Sequence, residues 1–180
     1  GVALAKVAGR APLRLANAPR LPFEFTALAD NLSLYVEQIE ELAEDMRTET
    51  VETNARIDSG VYALALDPTR SFAAPLHKEE VPFFNFAPLK NAMDALEQAA
   101  GAYAKITISG AAANEQQNKL LFTSERELTR DDGLPGRPWF THHIYAPGFY
   151  TGYGVKTIPG VREAIEQRQY ELAEDEIYVA

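Results

Sequence analysis

Residues 26–46, TALADNLSLYVEQIEELAEDM, carry the apolar pattern that decides the fold. Their large apolar side chains recur at alternating spacings of four and three residues, at Leu28, Leu32, Tyr35, Ile39, Leu42 and Met46. Such spacing places one seam along an α-helix that packs at a shallow angle on its neighbours. Thr26 is a suitable N-cap for this helix. A weaker continuation of the seam predicts one long helix that ends before Asp67-Pro68, with a bend or break at Gly60.

The second helix is predicted over residues 85–110, with Pro88 in its first turn. Its apolar seam consists of Leu89, Met93, Leu96, Ala100 and Tyr103. Residues 67–85, between the first two helices, contain three prolines and no clean period. They predict an excursion over the surface that is anchored by Phe83 and Phe84.

Two further helices complete the pattern. The third is predicted over residues 112–130, and the fourth begins at Pro159 with Thr157 as its cap. Their inward residues are expected to be Leu120, Leu121, Ser124, Leu128, Val161, Ile165, Leu172 and Val179. The apolar pattern is unbroken at Ala180, so we expect the fourth helix to continue beyond it. Because no strand pattern is convincing, the sequence predicts an all-α, four-helix up-and-down bundle.

Residues 1–25 precede the helical pattern and predict an N-terminal arm, whereas residues 26–180 form the helical domain. Three prolines, Pro12, Pro19 and Pro22, are expected to break any helix in the arm. Because the arm carries spaced apolar residues, we expect it to pack on this domain or on a neighbouring one.

The third and fourth helices are joined by residues 133–153, GLPGRPWFTHHIYAPGFYTGY, here called the aromatic loop. Three prolines and four glycines exclude a regular helix, yet the loop holds six aromatic residues. Long ordered loops are usually functional, and tyrosine is enriched at interfaces. We expect Tyr145 to pack and both Tyr150 and Tyr153 to contact a partner, unless the rings only pin the loop to the bundle. The candidate interface residues are Trp139, His142, Tyr145, Phe149 and Tyr150.

Composition excludes several classes of protein. The net charge of −9 argues against nucleic acid as a partner, because phosphate binding needs clustered Lys and Arg. The chain has no apolar run long enough for a membrane-spanning helix. It contains no cysteine, so disulfides, thiolate metal sites and a cysteine nucleophile are excluded.

No catalytic or metal-binding pattern emerges from the residues. His142 and His143 are adjacent and would point to opposite sides of extended backbone, and His77 is the only other histidine. A zinc site needs three or four ligands, so we expect no metal or other cofactor in this chain. The serines lack a nucleophile-elbow context, and there is no glycine-rich phosphate loop. We therefore expect no enzymatic activity from this chain alone.

Four segments together carry a family resemblance. The central one is GLPGRPWFTHHIYAP, residues 133–147. It resembles the C-terminal helical domain shared by glutamate carboxypeptidase II and the transferrin receptor. Three more segments fall in the same order as in that domain: LRLANAPRLPFEF at 13–25, NKLLFTSERELTRDDG at 118–133 and IPGVREAIE at 158–166. The resemblance covers the chain from about Leu13 onward.

The resemblance implies a role for the whole chain. In this family the domain is a helical bundle that forms a homodimer and packs against a separate peptidase domain, which the arm would join. That peptidase domain carries two zinc ions, their ligands and the general base. The resemblance therefore implies a non-catalytic dimerisation domain of a zinc peptidase. The alternative is a stand-alone helical module that binds a small ligand or a peptide.

The resemblance also implies a role for the aromatic loop. In the carboxypeptidase the loop reaches the active site, where a consecutive lysine and tyrosine bind the carboxylate of the substrate's terminal glutamate. Tyr153 matches that tyrosine, but Gly152 stands at the lysine position. Loss of the cation removes a charge-assisted contact, which puts glutamate preference in doubt. Residues 49–81 are closer in length to those of bacterial relatives than to the human carboxypeptidase, so a bacterial origin is expected. The residues do not fix the compartment, and the family resemblance implies a periplasmic or extracellular location.

Overall fold

The computed structural model describes residues 1–64, 73 and 75–180, and the chain is mostly helical. The α-helices are α1 Val2–Ala16, α2 Phe25–Asp58, α3 Val61–Leu64, α4 Ala87–Ile108, α5 Glu115–Thr123, α6 Pro159–Glu166 and α7 Tyr170–Val179. A 3₁₀ helix, Ser124–Leu128, follows α5 directly. Two short strands, β1 Tyr145–Pro147 and β2 Val155–Thr157, lie between it and α6. No helix in the described part of the chain is long and apolar enough to cross a bilayer.

The core lies where α2, α4, α6 and α7 meet. α2 packs along α4, α6 packs on α7 and on α2, and α4 contacts α7. The buried residues of this core are Val36, Ile39, Ala43, Leu89, Ile158, Val161, Ala164, Ile165, Ala173 and Ile177. The predicted third helix contributes none of them, so the structure does not confirm a four-helix up-and-down bundle in the predicted form.

The first predicted helix is confirmed in position, with corrections at both ends. Glu24 precedes the first turn and Thr26 lies inside the helix, so the predicted cap is wrong. α2 ends at Asp58, and α3 follows after Gly60, so the expected break occurs there. The predicted end at Asp67-Pro68 lies outside the described residues. The buried face includes Leu32 and Ile39 from the predicted seam, and also the smaller residues Ala29, Val36 and Ala43.

The N-terminal arm contains a helix, which the prolines were expected to prevent. α1 has Pro12 inside it, and none of its residues is buried. A proline removes one backbone donor and crowds the preceding turn, but this segment is otherwise rich in strong helix formers such as Ala and Leu. The prediction that Pro12 breaks any helix in the arm was therefore wrong. Pro19 and Pro22, by contrast, lie between α1 and α2.

The second predicted helix is confirmed as α4, with Pro88 in its first turn. Of the two expected anchors before it, Phe84 packs against the core and Phe83 is exposed. The ring of Phe83 lies 3.9 Å from the Arg47 guanidinium instead. Among the described residues of this segment, Val81 is the buried one. Arg47 holds the segment to α2 by donating to the Val81 carbonyl at 3.1 Å and to the Pro82 carbonyl at 2.7 Å.

The third predicted helix is shorter than expected. α5 begins at Glu115 after a capping box, in which the Gln117 amide donates to the Asn114 side chain and the Asn114 amide donates to the Gln117 side chain. Leu121 is buried, but Leu120 is exposed, so the predicted inward position of Leu120 was wrong. The 3₁₀ helix that ends the segment rotates the chain out of the α-helical period.

The fourth predicted helix consists of two helices. α6 and α7 are separated at residues 167–169, where Arg168 adopts a left-handed φ of 59°. The Thr157 cap was wrong, because Ile158 precedes α6 and makes no side-chain cap. Val161 and Ile165 are buried as predicted, whereas Val179 is exposed. The short strands β1 and β2 also correct the expectation that the chain has no strands.

Candidate functional site: the aromatic loop

The second half of the aromatic loop forms the first strand and most of the turn of a β-hairpin, which β2 completes. β1 and β2 pair antiparallel, with Pro147 opposite Val155. The hairpin is closed by residues 148–154, here called the tip. The Gly148 amide donates to the Gly154 carbonyl at 2.7 Å, and the Thr151 hydroxyl donates to the same carbonyl at 3.1 Å. The tip is therefore a defined turn with internal hydrogen bonds.

Three aromatic side chains of the loop project into solvent. Tyr153 is fully exposed, and Tyr150 and Trp139 are 79% and 72% exposed. Phe149 is half-buried and meets the Tyr150 ring edge to face, with centroids 4.8 Å apart. Exposed rings on a hydrogen-bonded turn are suited to contact a partner, because little conformational entropy is lost on binding.

Tyr145 faces the body of the domain. Its hydroxyl donates to the Glu125 carboxylate at 2.6 Å, and its ring stacks on His142 with centroids 4.2 Å apart. The hydrogen bond to Glu125 raises the pKa of Tyr145. The 3₁₀ helix thus holds the start of β1 through one hydrogen bond.

The two histidines of the loop serve structure. His142 Nδ1 accepts a hydrogen bond from the Ile144 amide at 3.1 Å, which assigns the proton of the neutral ring to Nε2. Burial lowers the pKa of His142, although the negative charge of Glu125 acts to raise it. Burial also lowers the pKa of His143, and the nearby Arg130 charge acts in the same direction. Among the described residues, no three His, Asp or Glu side chains gather as a metal site requires.

Two ion pairs fasten the loop to the last two helices. Arg137 is buried and donates to Glu163 on α6 and to the Pro147 carbonyl. Arg130, just before the loop, donates to both carboxylate oxygens of Glu176 on α7 at 2.8 and 2.9 Å. Arg130 also binds Asp132 at 2.7 Å, and this hydrogen bond lowers the pKa of Asp132 to about 2.

These pairs were missed by the sequence analysis, although a signal exists. Glu163 lies on α6 between the buried residues Val161 and Ile165. A carboxylate among core positions of an amphipathic helix is rarely buried unless it is paired. Arg137 is the only basic residue within the loop, so it was the natural partner to seek.

The family is decided by comparison with known proteins. A family model described as the transferrin receptor-like dimerisation domain matches residues 84–180, more than half of the chain. The chain belongs to this family. The match includes the aromatic loop and both helices to which the loop is fastened. The family description is that of a dimerisation domain, which implies self-association.

Three relatives support this assignment. The chain is 30% identical over 165 residues to "Probable glutamate carboxypeptidase LAMP1" of Arabidopsis thaliana, covering 92% of this chain and 19% of that protein. It is 23% identical over 178 residues to "Probable glutamate carboxypeptidase AMP1" of the same plant, covering 98% and 22%. A "Probable glutamate carboxypeptidase" of Arthroderma benhamiae is 37% identical over 78 residues, covering 37% and 11%. The chain thus spans about one fifth of the length of the plant relatives. These relatives are plant and fungal, so the expected bacterial origin is not supported.

The dimerisation domain also brings the end of its arm to the base of the loop. A groove of about 490 Å³ lies between them. Its apolar lining includes Phe23 and Phe25 from the end of the arm, Leu28 from α2, Leu96 from α4 and Tyr145 from β1. Three carboxylates, Glu24, Glu125 and Glu127, also line it. The groove is therefore shared by the end of the arm, α2, α4 and the base of the loop.

The backbone of this dimerisation domain is strained at Ile158, between β2 and α6. Ile158 is buried and adopts a φ of 43°, which a β-branched residue rarely does. Such a conformation costs about 1–3 kcal/mol and persists only when surrounding contacts fix it. The Ile158 amide donates to the Ile144 carbonyl at 2.8 Å, and its side chain belongs to the core. These two contacts hold the turn from β2 into α6.

Proposed function

We propose that this chain is the homodimerisation domain of a glutamate carboxypeptidase-like zinc peptidase, and that its aromatic loop completes the substrate pocket of a neighbouring peptidase domain. The observation that carries the proposal is the tip, which presents exposed Tyr150 and Tyr153 rings on a turn fastened by buried ion pairs. Family membership and the names of the relatives support the same reading.

The arm would join the two domains. α1 has no buried residue and exposes five large apolar side chains, Val2, Val7, Leu4, Leu13 and Leu15. A helix of this kind is stabilised by burying an apolar face against another element. The peptidase domain would supply that element, together with the two zinc ions and their ligands. The described residues of this chain do not fit a zinc ion, because they offer no suitable group of ligands.

Tyr153 would contact the substrate. A phenolic hydroxyl can donate a hydrogen bond to a carboxylate, and Tyr153 makes its ring fully available. Gly152 supplies no cation beside it, so the carboxylate would be bound more weakly than by a lysine and tyrosine together. In the parent peptidase, Tyr153→Phe should raise KM for a substrate with a terminal carboxylate by about tenfold, the loss of one hydrogen bond to a charged group.

The matched control for this experiment is Tyr145→Phe, which removes a hydroxyl that already bonds to Glu125. This control should leave KM unchanged within about twofold. Equal KM values for the wild-type parent peptidase and its Tyr153→Phe variant would contradict the role of the tip in the substrate pocket.

Self-association is tested by co-expression of tagged and untagged copies of the chain. With equal expression, the untagged copy should be retained at about half the amount of the tagged copy, because identical surfaces in a C2 dimer pair at random and both tagged homodimers and mixed dimers are captured. Recovery of the tagged copy alone would count against dimerisation by this chain.

The second candidate is a stand-alone helical binding module. A depression of about 320 Å³ beside Trp139 and Tyr145 favours it, since aromatic walls suit a small ligand or a peptide. Tyr153 does not line this depression. Titration of the chain with short peptides, followed by Trp139 fluorescence, distinguishes the candidates. Saturable quenching that disappears in Tyr145→Ala would support the module.

A further inference from the structure

We infer that the ion pair between Arg137 and Glu163 is a positioning device for the tip, and that it sets the direction in which Tyr150 and Tyr153 project. The idea that these two side chains project toward a substrate pocket rests on the proposed function. The way in which the pair holds the tip does not, because all of its contacts lie within this chain.

The pair reaches the chain on both sides of Gly148. The Arg137 guanidinium donates to the Pro147 carbonyl at the end of β1 and to one oxygen of Glu163. The other oxygen of Glu163 accepts the Phe149 amide at 2.6 Å. Residues 147 and 149 are thus tied to one buried charge pair, and through Glu163 to α6. Any rotation of the tip about its base would break at least one of these bonds.

The pair is also shielded from water. The side chains of Arg137 and Glu163 are only 4% and 11% exposed. The guanidinium carbon lies 5.5 Å from the Phe140 ring and 5.7 Å from the Phe149 ring. Arg137 Nε is buried and has no hydrogen-bond partner among the described residues. Removal of either charge would leave the other uncompensated in the interior, which is costly.

Such a pair is better suited to fixing one geometry than to adding stability. The cost of removing two charges from water offsets much of their attraction, so apolar side chains would stabilise the loop as well. The bonds of Glu163 to Arg137 and to the Phe149 amide have directions, however, which apolar packing lacks. The other hydrogen bonds of the tip, such as that from the Gly148 amide to the Gly154 carbonyl, are internal to the turn and do not tie it to α6.

A second ion pair of the hairpin provides the matched control. Lys156 on β2 binds Glu166 on α6 at 2.7 Å, and the two side chains are 25% and 30% exposed. This pair is also made to α6, but it starts from β2 and its bonds join only the two side chains, not the tip backbone. Glu166→Gln therefore removes the same charge from the same helix as Glu163→Gln, without releasing the Phe149 amide.

The experiment is amide hydrogen exchange of the intact chain, residue by residue, in the wild type and in both variants. Glu163→Gln should speed exchange of the Phe149 amide and of the tip amides by roughly tenfold or more, because the buried guanidinium loses its counter-charge. Exchange at Ile39, in the core of α2, should change much less. Glu166→Gln should leave the tip within about twofold of the wild type.

Three outcomes would overturn the inference: unchanged exchange in the tip, equal acceleration of the tip and Ile39, or an equal effect of Glu166→Gln. If Glu163→Gln yields too little folded protein, Arg137→Lys replaces it. This variant keeps the positive charge but loses the planar guanidinium, and its exchange rates in the tip are compared with the rate at Ile39 in the same way. A monomeric chain, or a parent with unchanged kinetics in Tyr153→Phe, would contradict the proposed function and leave this exchange pattern intact.

Discussion

Gly133, the first residue of the aromatic loop, lies where the backbone passes very close to the backbone of Pro138. Its φ is 67°, and a Cβ at this position would overlap the backbone of Pro138. The Leu134 amide donates to the Phe140 carbonyl at 2.7 Å, which closes the small ring of chain that contains Arg137. The placement of the buried guanidinium therefore depends on a residue that has no side chain.

Gly133→Ala should destabilise the domain by about 2–4 kcal/mol, from the positive φ and from overlap with a backbone that cannot move freely. Gly152→Ala is the matched control, since Gly152 has a φ of 63° but open space around its missing Cβ. It should cost only about 1 kcal/mol. Urea unfolding followed by circular dichroism measures both variants, and equal losses would contradict the close approach to Pro138.

His142 and His143 make the loop sensitive to pH. Burial is the main cause that lowers the pKa of each below the ordinary 6.5, so the folded state favours the neutral rings. Their contribution to stability is fully present above pH 6.5 and is lost as the pH falls through the folded-state pKa values. A proton on His142 Nδ1 would also cost the bond from the Ile144 amide.

We therefore expect the thermal midpoint to fall between pH 7 and about pH 5, and expect the fall to be smaller in the double variant His142→Asn/His143→Asn. Differential scanning calorimetry at several pH values tests this. An identical pH dependence in the wild type and the double variant would show that other groups are responsible.

At the scale of elements, α6 connects the helical core to the aromatic loop. One face of this short helix packs into the core through Val161 and Ile165, and the same helix carries Glu163 toward the loop. Helix packing and loop placement are therefore coupled through one element. A change that shifts α6 should move the hairpin with it.

Ile165→Ala should destabilise the domain by about 2–5 kcal/mol, because it leaves a cavity where α2, α6 and α7 meet. Leu120→Ala removes a similar side chain from the exposed face of α5 and should change stability by less than about 0.5 kcal/mol. Chemical denaturation measures both free energies of unfolding. A large fall in the free energy of unfolding for Leu120→Ala in the isolated monomer would contradict the exposed position of Leu120 on α5.

The sequence predicted elements well where apolar residues follow a helical period over several turns. α4 matches its prediction because Leu89 to Tyr103 keep that period, whereas α5 does not, since the 3₁₀ helix after it changes the period. The strands were missed because each has three residues, too few to show alternation. α1 was missed because Pro12 outweighed its neighbours in the prediction.

The candidate site was only partly predictable for a different reason. The exposed rings of Trp139, Tyr150 and Tyr153 follow from an aromatic-rich loop with many turn residues. The Arg137–Glu163 pair joins residues 26 positions apart, and such a contact depends on how the loop folds over α6. Single-sequence patterns report local period and turn chemistry, so they do not specify which distant charges meet.

At the scale of the whole molecule, the domain exposes large apolar side chains on several of its helices. Ile106, Ile108, Leu120 and Phe122 on α4 and α5 are exposed, in addition to the apolar residues of α1. An obligate dimer commonly buries more than about 2,000 Å² in total. The net charge of −9 opposes close approach of two copies, so salt should favour the dimer by screening.

Sedimentation velocity of the purified chain tests the central claim most directly. We expect a species of twice the 19.9 kDa chain mass, with a dimer fraction that rises with concentration and with moderate salt. A species that keeps the monomer mass at every concentration and salt level would contradict the claim that this domain dimerises through its own surfaces.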